Sequence, residues 1–110
     1  MATRIIHLDG TLAAGAGFTE LAPALTPPEG LRWTIVELRP TFQRDGTFRG
    51  FFDTELYHEI EREDVVALGE PHIVALDVVQ PHAYHVFFNN RDAALTNRVG
   101  IDITVEEAPV

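Results

Sequence analysis

Most apolar segments in this chain alternate with polar residues, or run for a strand's length, between clusters of Gly, Pro, Asn and Asp, where helices of ordinary length need apolar residues at three-and-four spacing. That rhythm restricts the chain to mostly β-structure. The clearest segment is Leu31 to Phe42, where Leu31, Trp33 and Ile35, with the neighbouring Val36 and Leu38, alternate against Arg32, Thr34, Glu37 and Arg39. A strand of this kind buries one face and wets the other. Pro40 removes a ladder donor and puts the strand's end at an edge or a bend. Gln43-Arg44-Asp45-Gly46 then reads as a hairpin loop, its Asp-Gly pair tolerating positive φ, with Thr47 to Phe52 as the partner strand. In that strand Gly50, amid Phe48, Phe51 and Phe52, points to a bulge or to a large side chain from a neighbouring strand lying over the glycine.

The remaining segments follow the same logic. Thr3 to Leu8 is a short opening strand closed by Asp9-Gly10, and the Ala- and Gly-rich Thr11 to Gly17 has no period and reads as loop. Phe18 to Thr26 carries Phe18, Leu21, Ala24 and Leu25, but Pro23 makes a strand there an edge strand or a broken one. Pro27-Pro28-Glu29-Gly30 is a turn. Asp53 to Asp64 fits two patterns. Leu56, Tyr57 and Ile60 make a helical stripe behind an Asp53 or Thr54 cap, while Leu56, His58 and Ile60 also alternate with Tyr57, Glu59 and Glu61. The strand reading is preferred: Thr47 to Glu61 becomes a hairpin about Asp53-Thr54, and Glu59, Glu61, Glu63 and Asp64 mark an exposed face and end. Val65 to Gly69 is compatible with one helical turn. His72 to Val79, Ala83 to Phe88 and Val99 to Val105 complete the strands, separated by the Gln80-Pro81 turn and the Arg91 to Asn97 loop, and Glu106-Glu107 ends the last one.

These segments, eight with the doubtful second and fifth, predict an all-β fold: an antiparallel eight-stranded β-sandwich, jelly-roll-like, in one domain covering residues 1–110. The expected core is Ile5, Leu31 or Trp33, Ile35, Phe48, Leu56, Ile60, Val74, Leu76, Tyr84, Val86, Ile101 and Ile103.

Composition removes several functions. Seventeen acidic residues against eight basic ones, all arginine, give a formal net charge of −9, which repels nucleic-acid backbones and anionic lipid surfaces. The chain has no cysteine and no serine, so disulfides, thiolate metal sites and the Ser-His-Asp arrangement are gone. No apolar run approaches the roughly 20 residues of a spanning helix, and Met1 to Leu8 carries Arg4 and His7 where a signal peptide needs an unbroken apolar stretch. A soluble chain without membrane insertion is expected. The five histidines lack the i, i+2 strand spacing that aims two ligands to one side, and the glycines form no phosphate-binding pattern. The carboxylates are so abundant that proximity among them says little about acid-base work. No metal, no cofactor and no catalytic residue is expected, so the chain reads as a non-enzyme.

The aromatic residues carry the remaining signal. Most serve to pack two sheets together, but the adjacent pairs Phe51-Phe52 and Phe87-Phe88 cannot both point inward in a regular two-faced sheet. One member of each faces outward, or a bulge intervenes, and an outward ring on a small β domain is most simply covered by another subunit. Phe51, Phe52, Tyr57 and Phe87 are therefore the candidate contact residues, with the Asn89 to Asn97 loop, including Asn90 and Asp92, as an exposed recognition edge.

The order of elements, a Pro-Pro-Glu-Gly turn before Leu31 to Phe42, the Thr47 to Glu61 hairpin, His72 to Val79, Gln80-Pro81 and a closing pair around Asn89 to Asn97, resembles the small jelly-roll structural proteins of virus and phage particles, of decoration, minor capsid or spike type. The likeness covers Phe18 to Glu107 and consists of strand rhythm and turn placement; Thr11 to Gly17 has no place in it. It implies a virion component without catalytic residues that forms a trimer or ring, or covers joints in a shell. Similar folds also serve as lectins and carbohydrate-binding modules. On that alternative Trp33, Tyr57 or Tyr84 stacks on a small molecule or sugar and Asn89, Asn90, Asp92 or Asn97 bonds its hydroxyls.

Overall fold

Period-two burial along the chain produces two four-stranded sheets facing one another, seen in a computed structural model that describes residues 2–62 and 71–110. The strands are β1 (Ala2–Leu12), β2 (Thr19–Glu20), β3 (Leu31–Phe42), β4 (Thr47–Phe52), β5 (Glu55–Glu61), β6 (His72–Val79), β7 (Tyr84–Phe88) and β8 (Asn97–Pro109). One sheet runs β1-β8-β3-β6 and the other β2-β7-β4-β5. The antiparallel pairs β1·β8, β2·β7, β3·β6 and β4·β5 are nested, as if one long hairpin were wound up. This is the winding of a jelly roll, and the expected eight-stranded sandwich is the observed fold.

The core lies between the sheets. From β3 it takes Trp33, Ile35, Leu38 and Phe42; from β8, Val99, Ile101, Ile103 and Val105; from the facing sheet, Phe48, Ile60, Tyr84, Val86 and Phe88. The change from odd to even positions along β3 has a local cause. Ile35 pairs with Val105 and Glu37 with Thr104, so Val36 has no partner on β8 and the alternation shifts by one residue. Two expected core residues face out instead: Ile5 is 68% exposed and Leu56 46%. In β1 the even residues Ile6 and Leu8 pack on the core. In β5 the pairing jumps from Gly50–His58 to Phe51–Leu56, and the extra residue, Tyr57, turns Leu56 to the outer side with Phe51. Val74 and Leu76 are partly buried against the core near the open edge.

Three expected boundaries are corrected. Asp9-Gly10 does not close the first strand, because both residues stay paired, with Gly100 and Val99, and β1 runs on to Leu12. Glu106-Glu107 does not end the last strand, since Glu107 lies opposite Trp33 and accepts hydrogen bonds from Trp33 Nε1 (2.8 Å) and Arg4 Nη1 (3.1 Å). Nor is Gln43 to Gly46 a hairpin: β3 pairs with β6 and β8, β4 with β5 and β7, so the segment arches from one sheet to the other. Gly46 is needed there for room, since a Cβ would fall 2.5 Å from the Asn89 carbonyl oxygen. The segment expected as a helical turn, Val65 to Gly69, lies outside the described residues.

Other expectations hold. Pro23 breaks its segment, leaving β2 two residues long at a sheet edge, with an isolated Leu25–Tyr84 bridge beyond it. Asp53, with φ of 54°, turns β4 into β5. Of the two readings of Gly50 the second is the observed one: Tyr84 lies over it, so close that a Cβ would sit 2.5 Å from Tyr84 Cζ, whereas the neighbouring bulge belongs to Tyr57 on β5. Gly50→Ala therefore overpacks a fully buried ring and should lower unfolding free energy by about 3 kcal/mol in urea titration. Gly17→Ala, where a Cβ meets nothing within 4 Å, should stay within about 0.5 kcal/mol of the parent. Equal effects would mean that Tyr84 does not cover Gly50.

Candidate functional site

Strands β4 and β7 are neighbours, and their register sorts the aromatic residues by face. Phe48 lies opposite Phe88, Gly50 opposite Val86 and Phe52 opposite Tyr84, all toward the core; Arg49 lies opposite Phe87 and Phe51 opposite His85, toward solvent. Each adjacent phenylalanine pair is thus split, one ring in and one out. The outward rings of Phe51 and Phe87 pack edge to face, centroids 5.4 Å apart. Phe18, just before β2, and the β4–β5 turn close the sides of a concavity of about 600 Å3, also lined by Glu20, Asp53 and Thr54.

The polar groups around this aromatic floor are paired with one another. The Arg49 guanidinium lies 4.1 Å from the Phe18 ring centroid, and its Nε donates to Glu59 at 2.6 Å. His85 Nδ1 is 3.0 Å from Glu20, and His82 Nδ1 is 2.6 Å from Asp53. Asp53 also ties the β4–β5 turn to the start of β7, its Oδ1 accepting from the Ala83 amide at 3.0 Å. The hydrogen bond from His82, then that from the Ala83 amide, hold the Asp53 carboxyl below its ordinary 3.8.

Beneath the floor, Tyr84 Oη and His58 Nδ1 are 2.7 Å apart. Burial lowers the His58 pKa and raises that of Tyr84, so both are neutral and the tyrosine hydroxyl donates to the imidazole. This contact holds β5 to β7 across β4.

Of the residues chosen from sequence, Phe51 and Phe87 meet in this concavity. Phe52 does not: it faces inward, partly buried against the core, and stacks on Tyr57 (5.7 Å) near His82 (5.0 Å). Tyr57, 46% exposed, sits on the edge strand. The Asn89 to Asn97 segment is held by its own polar side chains. Asn89 Oδ1 accepts from the Thr47 amide, and the buried Asn90 donates to the Ala13 and Leu95 carbonyls. Asp92 accepts from the Ala94 and Leu95 amides, which hold its carboxyl below the usual range. Asn97, fully buried, bonds the Arg44 amide and the Arg44 and Asp45 carbonyls. These amides organise loops, and Asn90 and Asn97 present nothing to a ligand. Trp33 and Tyr84 are buried and cannot stack on one.

Sequence reasoning missed Phe18, Glu20, Arg49, Asp53, Thr54 and His85. The signal for two of them was present: Arg49-Gly50-Phe51 and His85-Val86-Phe87 each put two residues on one face by alternation.

The outer face of the other sheet differs in kind. Across β1, β8 and β3 it reads Ile5–Thr104–Glu37, His7–Asp102–Arg39 and Asp9–Gly100–Thr41. A second concavity of about 400 Å3 lies around Gly100. His7 is held between Asp102 on Nδ1 (2.5 Å) and Asp9 on Nε2 (3.0 Å), which raises its pKa. Because the carboxylates occupy opposite ring nitrogens, the trio cannot converge on one ion. Among the described residues no group of three or more His, Cys, Asp or Glu side chains is placed to hold a metal. No protein-family model matches the chain, and a search of curated proteins finds no significant match.

The Asp53 arrangement generates a pH dependence. A carboxyl with a depressed folded pKa contributes stability that is fully present above its unfolded value, ordinarily 3.8, and is lost as pH falls through the folded value. Asp53→Asn keeps the acceptor and tolerates the positive φ but removes the charge. Thermal melts from pH 7 down to pH 2 should show the parent losing more stability below about pH 4 than the variant. Parallel curves would contradict an Asp53 carboxyl held ionised by its hydrogen bonds.

Proposed function

We propose that this chain is a non-catalytic structural module that joins protein subunits, assembling with itself as a trimer or ring or decorating a larger shell such as a virion. The observation that carries this is the Phe51–Phe87 floor on the outer face of β2-β7-β4-β5, ringed by Arg49–Glu59, His85–Glu20 and His82–Asp53. Charges already satisfied within the chain suit an apolar cover: a partner that seals the rings need not supply a counter-charge for each. The acidic surplus, −9 overall, keeps an abundant particle component soluble before it assembles.

One observation favours a second reading. A concavity of about 600 Å3 with an aromatic floor and polar walls falls in the range of about 300–1,000 Å3 typical of small-molecule sites, and a sugar is the ligand class such a floor takes. Ligand screening by thermal shift separates the two, since binding to the native state alone raises apparent stability by mass action.

Size-exclusion chromatography with light scattering tests the leading reading. Phe51→Ser and Phe87→Ser should each abolish the assembly that rests on the aromatic face, leaving nothing larger than a dimer, while the melting temperature stays within several degrees of the parent. A parent that remains monomeric at high concentration, or variants that unfold, would count against it; a large shift with a sugar would promote the second reading.

A further inference from the structure

The four sheet edges differ in how they are guarded. Edge strands expose unpaired amides and carbonyls and are ordinarily blunted by charge, proline or brevity. β2 is two residues long. β1 carries Arg4, His7 and Asp9 along its length. β5 carries Glu55, Glu59 and Glu61, and any long antiparallel pairing of two such strands sets glutamate opposite glutamate or in neighbouring rows. β6, His-Ile-Val-Ala-Leu-Asp-Val-Val, holds a single carboxylate, Asp77, and no arginine. Among the described residues it pairs on one side only, with β3. Ile73 on its outer face is 81% exposed, and Val74 and Leu76 on its inner face are only partly buried.

We propose that the edge of β6 left unpaired among the described residues is a homodimer seam, pairing antiparallel with β6 of a second copy about a two-fold axis at Leu76. Register selects this axis. Residues directly opposite one another must lie on the same face of the sheet, so the axis passes through a residue and not between two. An axis at Asp77 sets two carboxylates against each other, and one at Ala75 sets Asp77 against Ile73. At Leu76, Ile73 meets Val79, Val74 meets Val78, Leu76 meets itself, and Asp77 faces the small Ala75. The Asp77 carboxylate is held by Thr34 Oγ1 at 2.7 Å, away from the pairing. The seam would continue one sheet across two copies and cover Val74 and Leu76, giving an isologous contact. It takes its partner from the reading of the chain as a self-associating module, but it lies on the opposite sheet from the aromatic concavity.

Sedimentation velocity of the full chain in about 150 mM salt, where long-range repulsion between acidic copies is screened, tests the seam. Ala75 is exposed, so charge is tolerated there in the monomer. By symmetry Ala75→Glu sets two like-charge pairs against Asp77, and it should weaken the dimer about tenfold. Ala75→Arg sets two opposite-charge pairs and should leave it as tight or tighter. The dimer should persist in the Phe51→Ser/Phe87→Ser double variant, which removes the aromatic face, so the two surfaces fail separately. A monomeric parent, or equal effects of Glu and Arg at position 75, would overturn the seam.

Discussion

Everything in this molecule depends on the lateral pairing of β4 with β7, in which four large rings point inward and one of them, Tyr84, fills the space over a glycine. Phe48 and Phe88 pack at 5.4 Å, Phe88 also meets Phe42 of the opposite sheet at 5.4 Å, and Tyr84 lies across Gly50. A strand cannot turn two consecutive side chains to the same face without a bulge. Once Phe88 and Phe52 face the core, Phe87 and Phe51 are driven to the surface side by side. The outward aromatic floor is the geometric complement of the core. Any chain that buried one ring of each pair in this register would expose the other.

Much of this was legible in the residues. Leu31–Phe42, Thr47–Phe52 and His72–Val79 emerge at their expected limits because clean periodicity and turn residues coincide at their ends. The split of the phenylalanine pairs followed from parity alone. What was not legible was pairing at a distance. Asp45-Gly46 looks like a hairpin turn locally, but its glycine answers to the Asn89 carbonyl, and the segment is held by Asn97 far along the chain. Similarly, Asn89, Asn90, Asp92 and Asn97 look like a recognition loop until their backbone partners are known, since short polar side chains serve turns and ligands with the same atoms. Ile5 and Leu56 misled because a strand alone does not say which parity is buried, and the bulges at Val36 and Tyr57 change it midway.

The two outer faces hold their charges alike and differ in what those charges surround. On the β1-β8-β3-β6 face His7 lies between Asp102 and Asp9 and Arg39 bonds Glu37, with Ile5 and Ile73 as its large exposed apolar side chains. The β2-β7-β4-β5 face carries its charges as internal pairs about a hydrophobic centre. At exposed positions such pairs contribute little to stability on either face.

The most direct test uses the absence of cysteine in the chain. Single cysteines at Phe51, Phe87 and Phe88 report the accessibility of each position as the rate of thiol labelling in native protein, dilute and concentrated. The account predicts fast labelling at 51 and 87 in dilute protein, slowing sharply as the protein associates, and slow labelling at 88 throughout. Position 88 labelling as readily as 87, or rates at 51 and 87 indifferent to concentration, would contradict it.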